Sequence, residues 1–200
     1  LAWSRGLGDV YKRQIHNIRR PKPDDFQIKQ AVEKIKNSKN PIIISGGGVF
    51  YSDAMEELSN FAVKHNIPVT QTVMGYSTMK RDHSHFLGPI GGLGGKAANN
   101  LAKETDLAIC VGTKLADFTT GSWANFENPE FKLVSINIAR HDANKHLAEA
   151  VIGDAKVCLS ELSNSLGNWK SPDSWHKKSQ DELKSWNEYV AVSYTHLTLP

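Results

Sequence analysis

Cysteine is scarce in this chain. Two cysteines in 200 residues exclude a disulfide-stapled scaffold and a thiolate metal cluster. Cys110 lies in an apolar, strand-like run and Cys158 in a helix-like one, so both read as buried reduced thiols of a cytoplasmic protein. No apolar run reaches the length of a membrane span, and no signal-peptide pattern is present. A strong charge of one sign is missing too. The net charge is +3, and six basic residues sit within residues 1–22 against Asp9 alone. The rest of the chain is slightly acidic, which argues against a nucleic-acid footprint and a membrane surface. What remains is ordinary: 40% hydrophobic residues and 15 glycines, enough for one packed domain with extensions.

The chain is organised around Pro41-Ile42-Ile43-Ile44-Ser45-Gly46-Gly47-Gly48-Val49-Phe50. An apolar run ending in glycines reads as a buried parallel strand entering a tight loop. An amphipathic helix is expected from Ser52 to His65, with Ser52 as its cap and Ala54, Leu58, Phe61 and Ala62 on its buried face. Ile67–Gln71 is the next strand, which completes a βαβ unit. Upstream, Asp24 to Asn37 reads as a helix with a stripe of Ile28, Ala31, Val32 and Ile35. Downstream, the pattern predicts a loop-rich stretch over 74–95 and a helix from Lys96 to Glu104. A third strand follows over Asp106–Gly112 and a fourth over Phe131–Ile138. Asp142 is expected to cap a short helix, followed by a strand over Ala150–Gly153 and a helix from Asp154 to Leu166. Trp175 to Tyr189 reads as a last helix whose partner surface lies elsewhere. Five strands alternating with helices imply an α/β fold, a doubly wound, mainly parallel Rossmann-like sheet in three αβα layers.

Ligands of such sheets approach the carboxyl ends of the strands. The candidate cofactor-binding residues are therefore Gly46, Gly47, Gly48, Gly112, Thr113 and Asn137. The triple glycine is not a dinucleotide fingerprint, because the third required glycine would fall at Tyr51. Gly91-Gly92-Leu93-Gly94-Gly95-Lys96-Ala97 is not a phosphate loop. Ile90 stands where the first glycine is needed, and Ala97 has no hydroxyl for magnesium. It reads better as a flexible loop against a neighbouring domain. Asp82-His83-Ser84-His85, and the pair His141 and His146, lack the spaced partners of a metal site. No catalytic group emerges from spacing alone.

Several segments carry a resemblance. They are Ile43-Ile44-Ser45-Gly46-Gly47-Gly48-Val49, Ile67-Pro68-Val69, Leu107-Ala108-Ile109-Cys110-Val111-Gly112-Thr113-Lys114-Leu115 and Val151-Ile152-Gly153-Asp154-Ala155-Lys156. In order and spacing, over roughly residues 24–166, they resemble the central domain of thiamine-diphosphate-dependent enzymes, the group of acetolactate synthase. Gly112 to Ala124, Phe86 to Gly91 and Asp142 to His146 further resemble the branch that hydrolyses a trihydroxylated cyclic 1,2-dione in inositol catabolism.

The resemblance implies a three-domain enzyme using thiamine diphosphate and magnesium. Its activating glutamate would lie in an N-terminal domain and its Gly-Asp-Gly…Asn motif in a C-terminal one, so neither site falls here. Gly153-Asp154-Ala155 lacks the second glycine of that motif. The chain is then a fragment, inactive alone, whose partners are the missing domains of its own polypeptide and further copies in a homo-oligomer. Some relatives hold FAD or ADP at the strand ends, and Asn137 stands where they often carry an aspartate. The alternatives are a fragment of an acetolactate synthase-like enzyme, or a stand-alone Rossmann-like module binding a nucleotide or partner. The expected division is a non-native or disordered tail over 1–19, the central domain over 20–168, a linker and helix over 169–192 and a second foreign tail over 193–200. Trp123, Phe126, Trp175 and Trp186 are the expected exposed contacts to other domains.

Overall fold

Four apolar residues and a closing serine, Pro41–Ser45, form the strand β1, and every one is buried. Alternate side chains feed two separate cores, Ile43 one and Ile42 and Ile44 the other, so the strand must be covered on both faces. The computed structural model describes residues 19–196. The other strands are β2 (Val69–Gln71), β3 (Phe86–Pro89), β4 (Leu107–Val111), β5 (Lys132–Asn137) and β6 (Glu149–Ile152). They form one sheet in the order β3-β2-β1-β4-β5-β6, and every pairing is parallel. This is the doubly wound arrangement expected from the sequence, with six strands instead of five.

The additional strand lies within the stretch read as loop. β3 is four residues of Phe-Leu-Gly-Pro at the sheet edge, and its pairing with β2 shifts register. Gly88 and Pro89 hide it from any propensity argument, and an edge position is where proline is tolerated.

The helices are α1 (Asp25–Lys36), α2 (Gly47–Tyr51), α3 (Met55–His65), α4 (Lys96–Glu104), α5 (Asp117–Thr120), α6 (Arg140–Ala143), α7 (Ala155–Leu166) and α8 (Asp173–His196). Asp24 caps α1 by accepting from the N–H of Phe26 at 2.8 Å. Asp154 caps α7 by accepting from the N–H groups of Lys156 and Val157. Aspartate is a favoured capping residue at both positions. α1, α3 and α7 cover one face through Ile35, Leu58, Phe61, Leu159 and Leu162, and α4 and Trp175 of α8 cover the other.

Two expected helices are corrected. The one expected over Ser52–His65 begins only at Met55, because Asp53 takes positive φ (52°), and a separate short helix, α2, occupies the glycine loop ahead of it. Ser52 ends α2 rather than capping α3, and its hydroxyl accepts from Arg20 at 3.2 Å and from the N–H of Lys156 at 3.2 Å. Asp142 does not cap a helix either. It lies inside α6 and pairs with Lys145 at 2.6 Å, which holds its carboxyl below the ordinary range.

The last helix finds its partner within this chain. α8 lies along α4 and reaches β3. Trp175 is buried and donates from its indole N–H to the carbonyl of Pro41 at 2.8 Å. The segment ahead of α8 is tied down as well. The ring of His65 meets the carbonyl of Trp169 at 2.7 Å, and the N–H of Ser171 donates to the carbonyl of His65 at 2.9 Å. His176 stacks on His85 with centroids 4.2 Å apart. Burial holds His65, His85 and His176 below their ordinary value, His85 at about 4. Of the tails, residues 1–18 and 197–200 lie outside the described residues, while α8 runs on through His196.

Two predictions follow from this packing. Gly112 and Gly121 both have positive φ, but a Cβ on Gly112 would lie 2.5 Å from Gly48 Cα, whereas one on Gly121 meets only the amide end of Asn125 at 3.2 Å. Gly121→Ala should cost about 1 kcal/mol and Gly112→Ala at least about 3 kcal/mol, strain and overpacking together, as read from urea unfolding. For pH, the three depressed histidines are neutral in the fold and titrate near 6.5 when unfolded. Their stabilisation is complete above pH 6.5 and is lost as pH falls toward 4. The urea midpoint should therefore drop across that window, and His85→Phe should flatten the drop.

Candidate functional site

The winding reverses between β1 and β4, the central neighbours of the sheet. Their carboxyl ends carry Gly46 and Gly112, so the structure brings the predicted group together at the switch point. The N–H of Gly46 donates to the carbonyl of Val111 at 2.8 Å, and that of Gly48 to the carbonyl of Gly112 at 3.0 Å. A Cβ on Gly46 would stand 2.4 Å from the oxygen of Gly112, and one on Gly47 would stand 3.0 Å from the carbonyl oxygen of Met74. The glycines are thus required by backbone packed on backbone, loop against loop.

Thr113 is buried, and its hydroxyl accepts from the N–H of Leu115 at 3.3 Å. Asn137, at the end of β5, donates to the carbonyl of Thr113 at 3.3 Å and accepts from the N–H of Ala139 at 2.9 Å. One end of its amide donates and the other accepts. An aspartate could do only the second, which is a structural reason for asparagine here.

The charges nearby are largely satisfied within the chain. Lys156 pairs with Glu57 at 3.2 Å and with Asp53 at 3.6 Å. The hydrogen bond that Lys156 donates to Glu57 is the main cause that holds its ammonium pKa above the ordinary value. Around the same edge stand exposed apolar side chains: Phe50 and Tyr51 of α2, and Val73, Met74 and Tyr76 of the turn after β2. The Gly91–Gly95 loop, expected to be flexible, is pinned by Asn99, which accepts from the N–H of Gly91 at 2.9 Å and donates to its carbonyl at 3.0 Å.

The histidine candidates are structural. His83 bonds Ser59 at 2.9 Å and accepts from the N–H of His85 at 3.1 Å, and His146 lies against Trp123. Among the described residues no group of three or more His, Cys, Asp or Glu could hold a metal ion. Asp154 spends its carboxylate on the α7 cap and on Arg20 at 3.1 Å. Cys110 and Cys158 are free and buried; burial raises both thiol pKa values, that of Cys158 to about 12. None of the described helices is long and apolar enough to cross a membrane. Of the aromatics expected to be exposed, Trp175 is buried and Trp123, Phe126 and Trp186 are half-buried.

Comparison with known proteins decides the family. The family model described as "Thiamine pyrophosphate enzyme, central domain" matches residues 28–162. The chain belongs to this family. Among curated relatives, it is 42% identical over 178 residues to a 3D-(3,5/4)-trihydroxycyclohexane-1,2-dione hydrolase of Clostridium perfringens (strain 13 / Type A), covering 89% of this chain and 28% of the relative. A protein of the same name from Clostridium tetani is 42% identical over 189 residues, covering 92% and 29%. One from Bacillus cereus (strain AH820) is 40% identical over 176 residues, covering 88% and 27%. The chain thus spans less than a third of the length of these relatives. The matched segment of this central-domain chain includes the whole glycine contact between β1 and β4.

Sequence reasoning missed His65 and His176 at the α8 joint and Gln71 in a cleft beside it, and it named His85 and Trp186 without their roles there. Only the apolar surroundings of His65 in α3 offered a signal. The roles of the others arise from long-range packing.

The geometry at Asn137 yields a test. Asn137→Asp removes the donor to Thr113 and sets a carboxylate against a carbonyl, which should cost about 1–2 kcal/mol in urea unfolding. Asn137→Ser should cost less, because a hydroxyl is uncharged and can still donate.

Proposed function

We propose that the chain is the central-domain piece of a thiamine-diphosphate-dependent hydrolase that opens trihydroxycyclohexane-1,2-dione to 5-deoxyglucuronate in inositol catabolism. The observation that carries this reading is identity of 40–42% over 88–92% of the chain to relatives bearing the hydrolase name. The likeness extends beyond the 28–162 family core.

The residues present do not fit a site for thiamine diphosphate and magnesium. Among the described residues no acidic or histidine cluster could hold the metal, and Asp154 is spent on a helix cap and Arg20. The cofactor would supply the carbon–carbon bond chemistry from outside this domain. The domain's own part is positional: a rigid sheet presenting its carboxyl edge. If a nucleotide such as ADP or FAD binds this domain, Gly46, Gly47, Gly48, Gly112, Thr113 and Asn137 mark its place, a reading supported by their convergence at the switch point.

The full-length protein is proposed to be a cytoplasmic homo-oligomer. The exposed group of Phe50, Tyr51, Val73, Met74 and Tyr76 supports a face covered by other domains of the same polypeptide or by another copy. Residues 20–168 are proposed as the domain, with 169–192 leading onward.

A domain exchange tests the reading. Residues 20–192, which keep the α8 side chains that close the second core, replace the matching segment of the Clostridium perfringens relative, and dione hydrolysis is assayed with thiamine diphosphate and magnesium. Retained hydrolysis is expected. A folded chimera that turns over an acetolactate synthase substrate and not the dione would favour the alternative.

A further inference from the structure

A cleft of about 460 Å³ opens between the β2–β3 edge of the sheet and the face of α8, within the usual size range of small-molecule sites. Three features of its lining point the same way. The first is Gln71, the last residue of β2. It is 6% exposed, and its carbonyl oxygen is buried with no hydrogen-bond partner. Such an acceptor carries an unrelieved desolvation cost unless a donor is brought to it. The second is Arg81, which lines the same cleft and whose guanidinium forms no hydrogen bond or ion pair among the described residues. The third is the wall, built of Phe86, Leu183 and Trp186. Trp186 is held in place by stacking on Tyr189, with centroids 5.6 Å apart, and by lying over Gly95, where a Cβ would come within 3.1 Å of its indole nitrogen.

From this lining we infer that the cleft is a binding site for a planar aromatic carboxylate that carries an N–H or O–H donor. The ring packs between Trp186 and the β3 side chains. The carboxylate pairs with Arg81, whose planar fork suits it. The donor meets the amide of Gln71, whose terminal torsion turns with little resistance and so brings its oxygen toward the ligand. A neutral polyol suits the site poorly, because the apolar wall would strip its hydroxyls of water without replacing those bonds. The inference does not depend on the reaction proposed above.

Three probes separate the contributions in calorimetric titration of the whole chain. Indole-3-acetate offers ring, N–H and carboxylate. Naphthalene-1-acetate lacks the N–H, and indole-3-acetamide lacks the charge. Indole-3-acetate should bind, naphthalene-1-acetate about tenfold more weakly, the upper worth of one hydrogen bond, and indole-3-acetamide about fivefold more weakly, the upper worth of an exposed ion pair. Arg81→Gln should abolish the preference for carboxylate over carboxamide, and Gln71→Leu the preference for indole over naphthalene. Arg81 is exposed, so its variant carries the test even if Gln71→Leu fails to fold. Absence of heat with indole-3-acetate at roughly millimolar concentration would overturn the proposal. So would equal affinity for the three probes, or binding that Arg81→Gln leaves unchanged.

Discussion

The contact on which this architecture depends is backbone against backbone at the ends of β1 and β4. Gly48 and Gly112 approach so closely that a methyl group on either would lie within 2.6 Å of the other's Cα. The bond from the N–H of Gly48 to the carbonyl of Gly112 joins the two loops, and the bond from Gly46 to Val111 continues the ladder into them. This closure fixes where α2 begins and where the chain turns after β4. It also sets the crevice at which the two halves of the sheet wind in opposite directions. A glycine cluster at a strand end suggests phosphate binding at first sight. Here its conformational freedom is consumed by loop packing, and the acidic start of α3 is answered by Lys156.

The joint between the sheet and α8 is the second structural device. His65 and His85 are buried and His176 is half-buried, and the three neutral rings meet carbonyls, hydroxyls or one another. Trp175 adds a bond to Pro41 at the start of the central strand. α8 therefore continues the layer that α4 begins and closes the second core. It also forms one wall of the cleft lined by Gln71 and Arg81. Without α8, Ile42, Ile44 and Leu101 would lose Trp175 and Leu183 from their cluster.

Much of the fold was legible because local and global signals agreed. The continuous apolar runs of β1 and β4, the start of α7 at Asp154 and the stripe of α1 each have a short-range cause, and each stands where the sequence put it. The illegible parts have long-range causes. β3 exists because β2 offers it a ladder, not because Phe-Leu-Gly-Pro favours extension. The break between α2 and α3 depends on Asp53 adopting positive φ, which an amphipathic pattern running through it conceals. The partner of α8 was sought outside the chain because Trp175 and Trp186 looked too apolar for a free surface, yet the covering surface is α4. The strand-end group could be located from topology alone. What each of its members bonds could not, because those partners come from a different strand.

The central proposal is that this chain is the central domain of a thiamine-diphosphate enzyme whose cofactor machinery lies in other parts of the protein. Calorimetric titration of the purified chain with thiamine diphosphate and magnesium tests it most directly, with circular dichroism confirming that the sample is folded. The account predicts no saturable heat from a folded chain. Saturable, magnesium-dependent binding would place a cofactor site within these 200 residues and contradict it.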